Sequence, residues 1–368
     1  MAQARVRLTP AGRTPAATFL SGSNPRPAHL TFFPKLTPTS LSAAAAANAP
    51  PPHIVVVGSA NADIYVEVDR LPLIGETVAA RAGRSLAGGK GANQAACGGR
   101  LALGPTYLVA RVGDDANGRL LEGALADAGG VRTDRVARAA DAPSGHAVVM
   151  LMPDGQNSII IVGGANMEGW AAGIGSEDLE LIRKAGVLLL QREIPDWVNA
   201  QAAQAAKSAG VPVIMDAGGM DTPLPRELLS LVDIFSPNET ELARLTGMPT
   251  ETFEQISMAA GKCHKMGVQE VLVKLGSQGS ALFVEGEEPI RQPIVPATEV
   301  IDTTGAGDTF TSAFAVALVE GKPKRECMRF AGTKPPAAAS LCVRVKGAIP
   351  SMPDRKSVMK LLESVGVE

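Results

Sequence analysis

Ile54-Val55-Val56-Val57, followed at once by Gly58-Ser59-Ala60-Asn61-Ala62-Asp63, is the stretch on which the fold turns. Four consecutive β-branched residues closed by a glycine read as a strand buried on both faces, as a parallel sheet demands. Runs of the same kind recur at Tyr107–Val112, Val187–Leu190, Val211–Met215, Asp233–Ser236 and Val271–Leu275. Between them lie helical patterns: Ala92–Leu103, Ala116–Ala128, Ser176–Ala185, Trp197–Ala209 and Phe253–Met266. Strand alternating with helix predicts an α/β fold with a doubly wound, mostly parallel sheet. Ligands of such sheets lie beyond the carboxyl ends of the strands, so the residues after each run are the first candidates for chemistry.

Two regions break this rhythm. Ala147–Met152 and Ser158–Val162 flank Pro153-Asp154-Gly155-Gln156-Asn157, a hairpin signal. Ile64–Val68 and Thr77–Arg81 form a second candidate pair around Leu71-Pro72-Leu73-Ile74-Gly75. These four segments, in the stretches 63–82 and 146–163, predict a small β-sheet outside the main one, placed as a lid over the ligand cleft.

The first fifty residues are a different material. Met1 to His53 contains no Asp or Glu, five basic residues (Arg5, Arg7, Arg13, Arg26, Lys35) and nine of the 27 prolines. Its apolar residues follow no steady period, and no apolar core of secretory-signal length follows the first arginines. The composition predicts an organelle transit peptide over 1–52, with cleavage between Ser40 and Pro52. Its Ser/Thr/Pro character points to the plastid stroma rather than the mitochondrion. A Pro/Ala tail carrying no address is the alternative. With −2 overall and +5 in this segment, the remaining 315 residues carry −7. Such a chain has no general basic field for nucleic acid. It also has no run of 18 apolar residues to span a membrane. The 45 % hydrophobic content suffices for a sizeable core. Cys97, Cys263, Cys327 and Cys342 have no metal-ligand spacing and are expected as reduced, buried thiols.

The strongest chemical segment is Ile301-Asp302-Thr303-Thr304-Gly305-Ala306-Gly307-Asp308-Thr309-Phe310. Small residues entering a helix leave the N–H groups of Gly305, Ala306 and Gly307 free to converge on an anion. Asp308 at the same helix start can take a proton from a hydroxyl, so nest and carboxylate together suit phosphoryl transfer to an alcohol, although an acid there is also what the helix dipole alone favours. Ala87-Gly88-Gly89-Lys90-Gly91-Ala92-Asn93-Gln94-Ala95 is not a Walker A loop, yet its glycines permit close approach while Lys90 and Asn93 supply polar contacts. Alternation places Asn61 and Asp63 on one side of their strand, suited to neighbouring hydroxyls, although turn chemistry also accounts for them. Ser236-Pro237-Asn238-Glu239-Thr240-Glu241 also reads as a helix-capping box. Lys274-Leu275-Gly276-Ser277-Gln278-Gly279 ends a strand in what reads as a flexible loop at the same sheet edge.

Together these segments resemble the ribokinase branch of the ribokinase/PfkB carbohydrate kinase family, from Ile54 to about Met352. The two signatures that carry the resemblance are Ala87-Gly88-Gly89-Lys90-Gly91-Ala92-Asn93 and Asp302-Thr303-Thr304-Gly305-Ala306-Gly307-Asp308. The resemblance implies one kinase domain over 53–368, with three layers and a β lid that also clasps a second copy into a homodimer. It implies ATP-dependent phosphorylation of D-ribose at O5, with Asp308 as base and Gly305, Ala306 and Gly307 as anion hole. Asn61, Ala62, Asp63, Gly88, Gly89, Lys90, Gly91, Asn93 and Glu193 would hold the sugar with Asp308. Asn238 and the stretch Lys274, Leu275, Gly276, Ser277, Gln278 and Gly279 would contact ATP, with Gly307 and Asp308 at its reacting end. Glu241 would organise Mg²⁺ through water. Asp302 and Thr304, backbone from Cys342, Val345 and Gly347, and the Ser351 hydroxyl would form a K⁺ site.

The family pattern has an unbroken helix where this chain reads Arg329-Phe330-Ala331-Gly332-Thr333-Lys334-Pro335-Pro336-Ala337. A proline inside a helix costs about 3 kcal/mol or more. Thr333–Pro336 therefore reads as a splicing error in the coding sequence or as a tolerated bulge, and no adenine-contacting residue is assigned there. The alternatives are a kinase of another small sugar or a nucleoside, and a catalytically inactive plastid relative serving in assembly. The intact Asp308 segment speaks against inactivity.

Overall fold

The computed structural model describes residues 51–153, 157–293, 299–332 and 338–364. The predicted transit segment up to residue 50, the hairpin tip at 154–156 and the Thr333–Pro336 interruption lie outside the described residues.

In chain order the strands are β1 (Ile54–Val57), β2 (Asn61–Glu67), β3 (Ala82–Gly88), β4 (Thr106–Gly113), β5 (Val131–Arg132), β6 (Val136–Ala139), β7 (His146–Leu151), β8 (Asn157–Val162), β9 (Val187–Arg192), β10 (Val213–Gly219), β11 (Ile234–Ser236), β12 (Glu270–Lys274), β13 (Ser280–Val284) and β14 (Ile290–Gln292). The main sheet runs β14-β13-β12-β11-β10-β9-β1-β4-β5, with β6 also on β4. Its β4–β12 portion is parallel, and β13 and β14 add an antiparallel edge that the alternation of strand and helix does not anticipate.

β1 shows why this sequence takes this place. It pairs in parallel with β4 on one side and β9 on the other, Val57 opposite both Val109 and Leu190, and its four side chains are fully buried. Ile54 and Val56 enter a core with Ala92, Ala96, Phe310 and Phe314, from the helices Lys90–Leu101 and Ala306–Val319. Val55 and Val57 enter the opposite core with Val198, Ala202, Ile256 and Ala260, from the helices Asp196–Ser208 and Phe253–Lys265. The period of two therefore feeds two apolar layers, which is why the run carries no polar residue. The result is the expected three-layer α/β architecture.

The small sheet has the order β3-β2-β7-β8 and packs Tyr65, Ala147, Val149 and Leu86 together. β7 and β8 fall where the hairpin was expected. The partner of β2, however, is Ala82–Gly88 and not Thr77–Arg81, so the first lid segment runs to Gly88. Register explains the shift. Glu67 pairs with Ala82 and Asn61 with Gly88, leaving residues 68–81 as a connection braced by the Arg70–Glu76 ion pair. Ala-Gly-Arg-Ser-Leu-Ala-Gly contains one large apolar residue, and its strand conformation comes from pairing with β2.

The sheet edge at β8 leaves Ile159, Ile160, Ile161 and Val162 exposed, each between 41 % and 57 %. The entry into β7 is fixed by Asp115, which caps the helix Ala116–Ala128 through Gly118 N–H at 2.7 Å. Its carboxylate also accepts Ser144 N–H at 2.8 Å and the Ser144 hydroxyl at 2.7 Å. Asp115→Ala is expected to lower the free energy of unfolding by about 2 kcal/mol in a urea titration, because a cap and two further bonds go together. A loss within the error of the titration would show that solvent replaces all three.

Candidate functional site

The first strand ends at Val57, and in the next six residues Ser59, Asn61 and Asp63 carry the polar side chains, of which Ser59 and Asn61 reach Glu193. Across the β1–β9 boundary, where the connections run off in opposite directions, stands Glu193, one residue beyond β9. Its Oε2 accepts the Ser59 hydroxyl at 2.6 Å, Lys90 N–H at 3.0 Å and Asn61 Nδ2 at 3.3 Å. Asn61, Lys90 and Glu193 thus meet at one carboxylate oxygen, together with Ser59, which the sequence reading did not single out.

Asp63 lies on the same side as Asn61. Burial, reinforced by the negative charges of Glu193 and Asp308, pushes its carboxyl up to about 7. A side chain at Gly88 would collide with that carboxylate, so the pairing of β2 with β3 needs glycine there. A Cβ at Gly91 would fall 2.5 Å from Ser59 N. Ala62 behaves differently from its neighbours: its side chain is fully buried and its N–H goes to Gly145 O at 2.9 Å.

Asp308 sits at the third position of the helix Ala306–Val319 and is 5 % exposed. Asn93 Nδ2 donates to it at 2.8 Å and Gln94 Nε2 at 3.2 Å, while Lys90 Nζ stands 3.5 Å away. Asn93 Oδ1 is buried and has no protein partner among the described residues, which leaves an acceptor facing this carboxylate's neighbourhood.

Beside Asp308 the helix N-terminus is open, with Gly305 at its cap in the left-handed region (φ 80°). The expected nest needs one correction. Ala306 N–H is spent on Thr303 O at 3.2 Å, because the preceding residues form a turn. The backbone N–H groups of Gly305, Gly307 and Asp308 make no backbone bond among the described residues, so Asp308 takes the place of Ala306 among the free donors.

Lys274, at the end of β12, lies over this helix start: a Cβ built on Gly307 would be 3.8 Å from Lys274 Nζ. Its ammonium donates to Asp216 Oδ2 at 2.6 Å, and Lys90 Nζ stands 3.5 Å from Asp216 Oδ1. Asp216 is fully buried and also accepts Gly218 N–H at 2.9 Å and the Thr311 hydroxyl at 3.0 Å. Burial alone would raise its pKa, but the two lysines and Gly218 N–H outweigh that and hold it well below the usual carboxylate range. Burial likewise opposes the charge on Lys90, yet Asp216 and Asp308 outweigh it and keep the ammonium protonated. Asp216 is the main site residue that sequence reasoning missed. Its signal is the one that marks Lys274, a charged residue closing an apolar strand run. The register irregularity between Met215 and Gly219 bends the strand end at that point.

Asn238 and Glu241 form a reciprocal capping box at the start of the helix Glu239–Thr246, each bond 2.8 Å. The structural reading of that segment therefore holds, and Asn238 bridges to Lys274 across the strand ends. The stretch after Lys274 is not a flexible loop. Leu275 N–H donates to Gly279 O at 2.8 Å around a 3₁₀ turn over Gly276–Gln278, which closes β12 onto β13. Leu275 itself is buried.

Asp302, Thr304, Cys342, Gly347 and Ser351 meet in one corner behind Gly305. Asp302 accepts Thr304 N–H and Gly347 N–H, both at 2.9 Å, and Cys342 Sγ lies 3.0 Å from Ser351 Oγ. Val345 N–H reaches Cys342 O at 3.2 Å, which ties Val345 to the same corner. All four cysteines are free and buried, as expected, and burial raises the Cys263 thiol to about 12. No cluster of three or more His, Cys, Asp or Glu side chains suited to a metal occurs among the described residues. Nor is any described helix long and apolar enough to cross a membrane.

Comparison with known proteins gives the same region. The profile of the pfkB family carbohydrate kinases matches residues 51–355. A ribokinase of Arabidopsis thaliana is 64 % identical over 355 residues, covering 94 % of this chain and 92 % of its own. A ribokinase of Bacillus subtilis is 36 % identical over 311 residues, 84 % and 99 % of the two chains. Among solved structures, Arabidopsis thaliana ribokinase complexed with ribose and ATP superposes with a TM-score of 0.80 at 67 % identity, covering 85 % of this chain and 99 % of that one.

The raised Asp63 carboxyl has a measurable consequence. Its folded-state pKa of about 7 lies above the ordinary 3.8, so between these values the folded chain holds a proton the unfolded chain has lost. Stability conferred by that proton falls as pH rises across this window and is gone above it. Relative to Asp63→Asn, which cannot ionise, the protein is expected to lose on the order of 2–4 kcal/mol between pH 4 and 7 and nothing more above. Paired denaturation curves across pH measure this, and a difference that stays constant from pH 4 to 8 would contradict the assignment.

Proposed function

Because the chain belongs to the pfkB family of carbohydrate kinases, we propose that it transfers the γ-phosphoryl group of ATP to O5 of D-ribose, giving D-ribose 5-phosphate and ADP. The observation that carries this reading is the buried Asp308 carboxylate, set by Asn93 and Gln94 beside the free N–H groups of Gly305 and Gly307. The Arabidopsis relative, 67 % identical in its solved structure, is the protein whose complex holds ribose and ATP.

The sugar lies against Asn61, Asp63, Asn93 and Glu193, where carboxylates and amides alternate as neighbouring hydroxyls require. Its 5-hydroxyl faces Asp308. As O5 bonds to the γ-phosphorus and the bond to the β–γ bridging oxygen breaks, the hydroxyl proton passes to Asp308 and ADP leaves. Gly305, Gly307 and Asp308 N–H groups and the Lys274 ammonium stabilise the charge on the transferring group. Asp308 N–H and Oδ thus serve opposite needs from one residue.

Mg²⁺ on the ATP phosphates fits beside Glu241, whose Oε2 holds the capping box while its other oxygen is free to take a bound water, and it supplies charge neutralisation. K⁺ fits the corner of Asp302, Thr304, Cys342, Val345, Gly347 and Ser351, which offers carboxylate, carbonyl and hydroxyl oxygens next to Gly305, and it would stiffen the helix start. The exposed β8 edge fits a homodimer formed through the small sheet, since four consecutive exposed apolar residues are a liability on a lone chain. The acid-free N-terminal segment fits import into the plastid stroma.

Coupled ADP-release assays with ribose, 2-deoxyribose, fructose and adenosine, with and without K⁺, test the reading. Ribose is expected to give the highest kcat/KM, K⁺ to raise it, and Asp308→Asn to lower kcat by about 10²–10⁴. Turnover of ribose that survives Asp308→Asn would refute the base, and a preference for another acceptor would replace ribose. Ile161→Asp is expected to halve the mass seen by sedimentation, and residues 1–52 to carry a fluorescent protein into plastids.

A further inference from the structure

Asn166 lies in the short helix Ala165–Glu168, just after the last strand of the small sheet, and is 1 % exposed. Its amide is engaged at both ends. Oδ1 accepts Ala60 N–H at 2.9 Å, while Nδ2 donates to Ala60 O at 3.1 Å and to Asn61 Oδ1 at 2.7 Å. An asparagine amide can be turned end for end unless its partners distinguish oxygen from nitrogen. Here two of them do. A peptide N–H only donates and a peptide carbonyl only accepts, so Ala60 dictates which end of Asn166 is which. Nδ2 then faces Asn61, and Asn61 must answer with its oxygen. What remains of the Asn61 amide is Nδ2, directed to Glu193 Oε2 at 3.3 Å on the cleft side.

We infer that Asn166 is a positioning residue that fixes Asn61 as a hydrogen-bond donor toward the sugar. Backbone polarity at Ala60 is passed through two side chains to the ligand. A sugar hydroxyl facing Asn61 accepts there and donates its own hydrogen bond to a carboxyl oxygen of Glu193 or Asp63. A turned Asn61 would set its oxygen against Glu193 and against the hydroxyl's lone pairs, losing two bonds at once. The inference rests on the reading of Asn61 as a sugar-binding residue.

The surroundings leave Asn166 little freedom. Its carbonyl accepts Trp170 Nε1 at 2.8 Å, and the Arg111 guanidinium stacks 4.2 Å from the Trp170 ring centre. Asn166 N–H donates to Gly163 O at 3.1 Å. On the other side is Gly145, where a Cβ would collide with Asn166 Nδ2 and fall 2.5 Å from Asn61 Oδ1. The two amides are thus enclosed by backbone on both flanks.

Asn166→Asp in the full chain tests this. The carboxylate keeps an acceptor for Ala60 N–H but offers no donor to Asn61, which then turns its nitrogen toward position 166 and its oxygen toward the sugar. KM for ribose is expected to rise at least tenfold, KM for ATP to stay within twofold, and the Ala60 amide to remain protected from hydrogen exchange. In an Asn61→Ala background the same substitution is expected to change the ribose KM less than twofold. An equal factor in both backgrounds, or an unchanged ribose KM in Asn166→Asp, would overturn the inference. If Asn166→Asp does not fold, Gly145→Ala presses on the same pair and is expected to give the same ribose-specific, Asn61-dependent rise. If the unaltered enzyme turns over no sugar, the functional reading fails on its own. The side-chain ¹⁵N–H₂ signal of Asn61, assigned by its loss in Asn61→Ala, then decides: it must shift in Asn166→Asp, and an unmoved signal overturns the inference.

Discussion

Four carboxylates, Asp63, Glu193, Asp216 and Asp308, are gathered at the C-terminal ends of the strands, and the folded chain must satisfy all of them in little water. It does so in four ways. Asp216, wholly buried, is held by two lysines that come from opposite sides of the cleft. Glu193 collects three donors on one oxygen. Asp308 takes two side-chain amides and the more distant Lys90. Asp63 has no such partner and keeps its proton close to neutral pH. Removing one partner from a buried charge typically costs about 3–5 kcal/mol, so the set behaves as a unit.

Four different elements provide this gathering: Glu193 follows β9, Asp216 lies in β10, Asp63 lies in β2 of the small sheet, and Asp308 stands in the first turn of the helix Ala306–Val319. β1 and β9 carry only apolar side chains up to Val57 and Leu190, and the polar groups begin beyond them with Ser59, Asn61, Gln191 and Glu193. The lysines divide the work. Lys90 enters from the glycine-rich start of a helix and spans Asp216 and Asp308, whereas Lys274 comes from a strand end and covers the open helix terminus. Asp216 is thus the point where the glycine-rich helix start and the end of β12 touch the same carboxylate.

Much of this was legible in the sequence, and what escaped did so for physical reasons. Ile54–Val57 declares itself because a strand covered on both faces tolerates no polar residue. Asp308 stands out through the small residues before its helix, although the helix dipole alone also favours an acid there, and it is the company of the other segments that singles it out. β3 was misplaced because Ala82–Gly88 has almost no side-chain pattern, and its pairing is imposed by β2. Asp216 carried only a weak local signal, a charge closing an apolar run. Its role arises from lysines 126 and 58 residues away in the chain, a distance that no short pattern spans. The nest loses Ala306 because a turn claims its N–H, a hydrogen bond invisible in the letters. Asn238 and Glu241 were legible as a cap because a capping box is wholly local.

The attachment of the small sheet has a mechanical consequence. The chain passes between the two sheets at 60–61, 88–89, 144–145 and 163–164, and these crossings are packed against each other: a Cβ on Gly89 would fall 2.6 Å from Asn61 N, and Ala165 N–H reaches Pro143 O at 2.7 Å. Asn61 sits among these crossings, at one end of β2. At the other end Lys346 Nζ stands 3.4 Å from Glu67 Oε1, and in β3 Leu86 lies against Gly347. The small sheet is thus pinned at both ends of β2, so any tilt that reseats the Asn61 amide has to break the outer contacts as well.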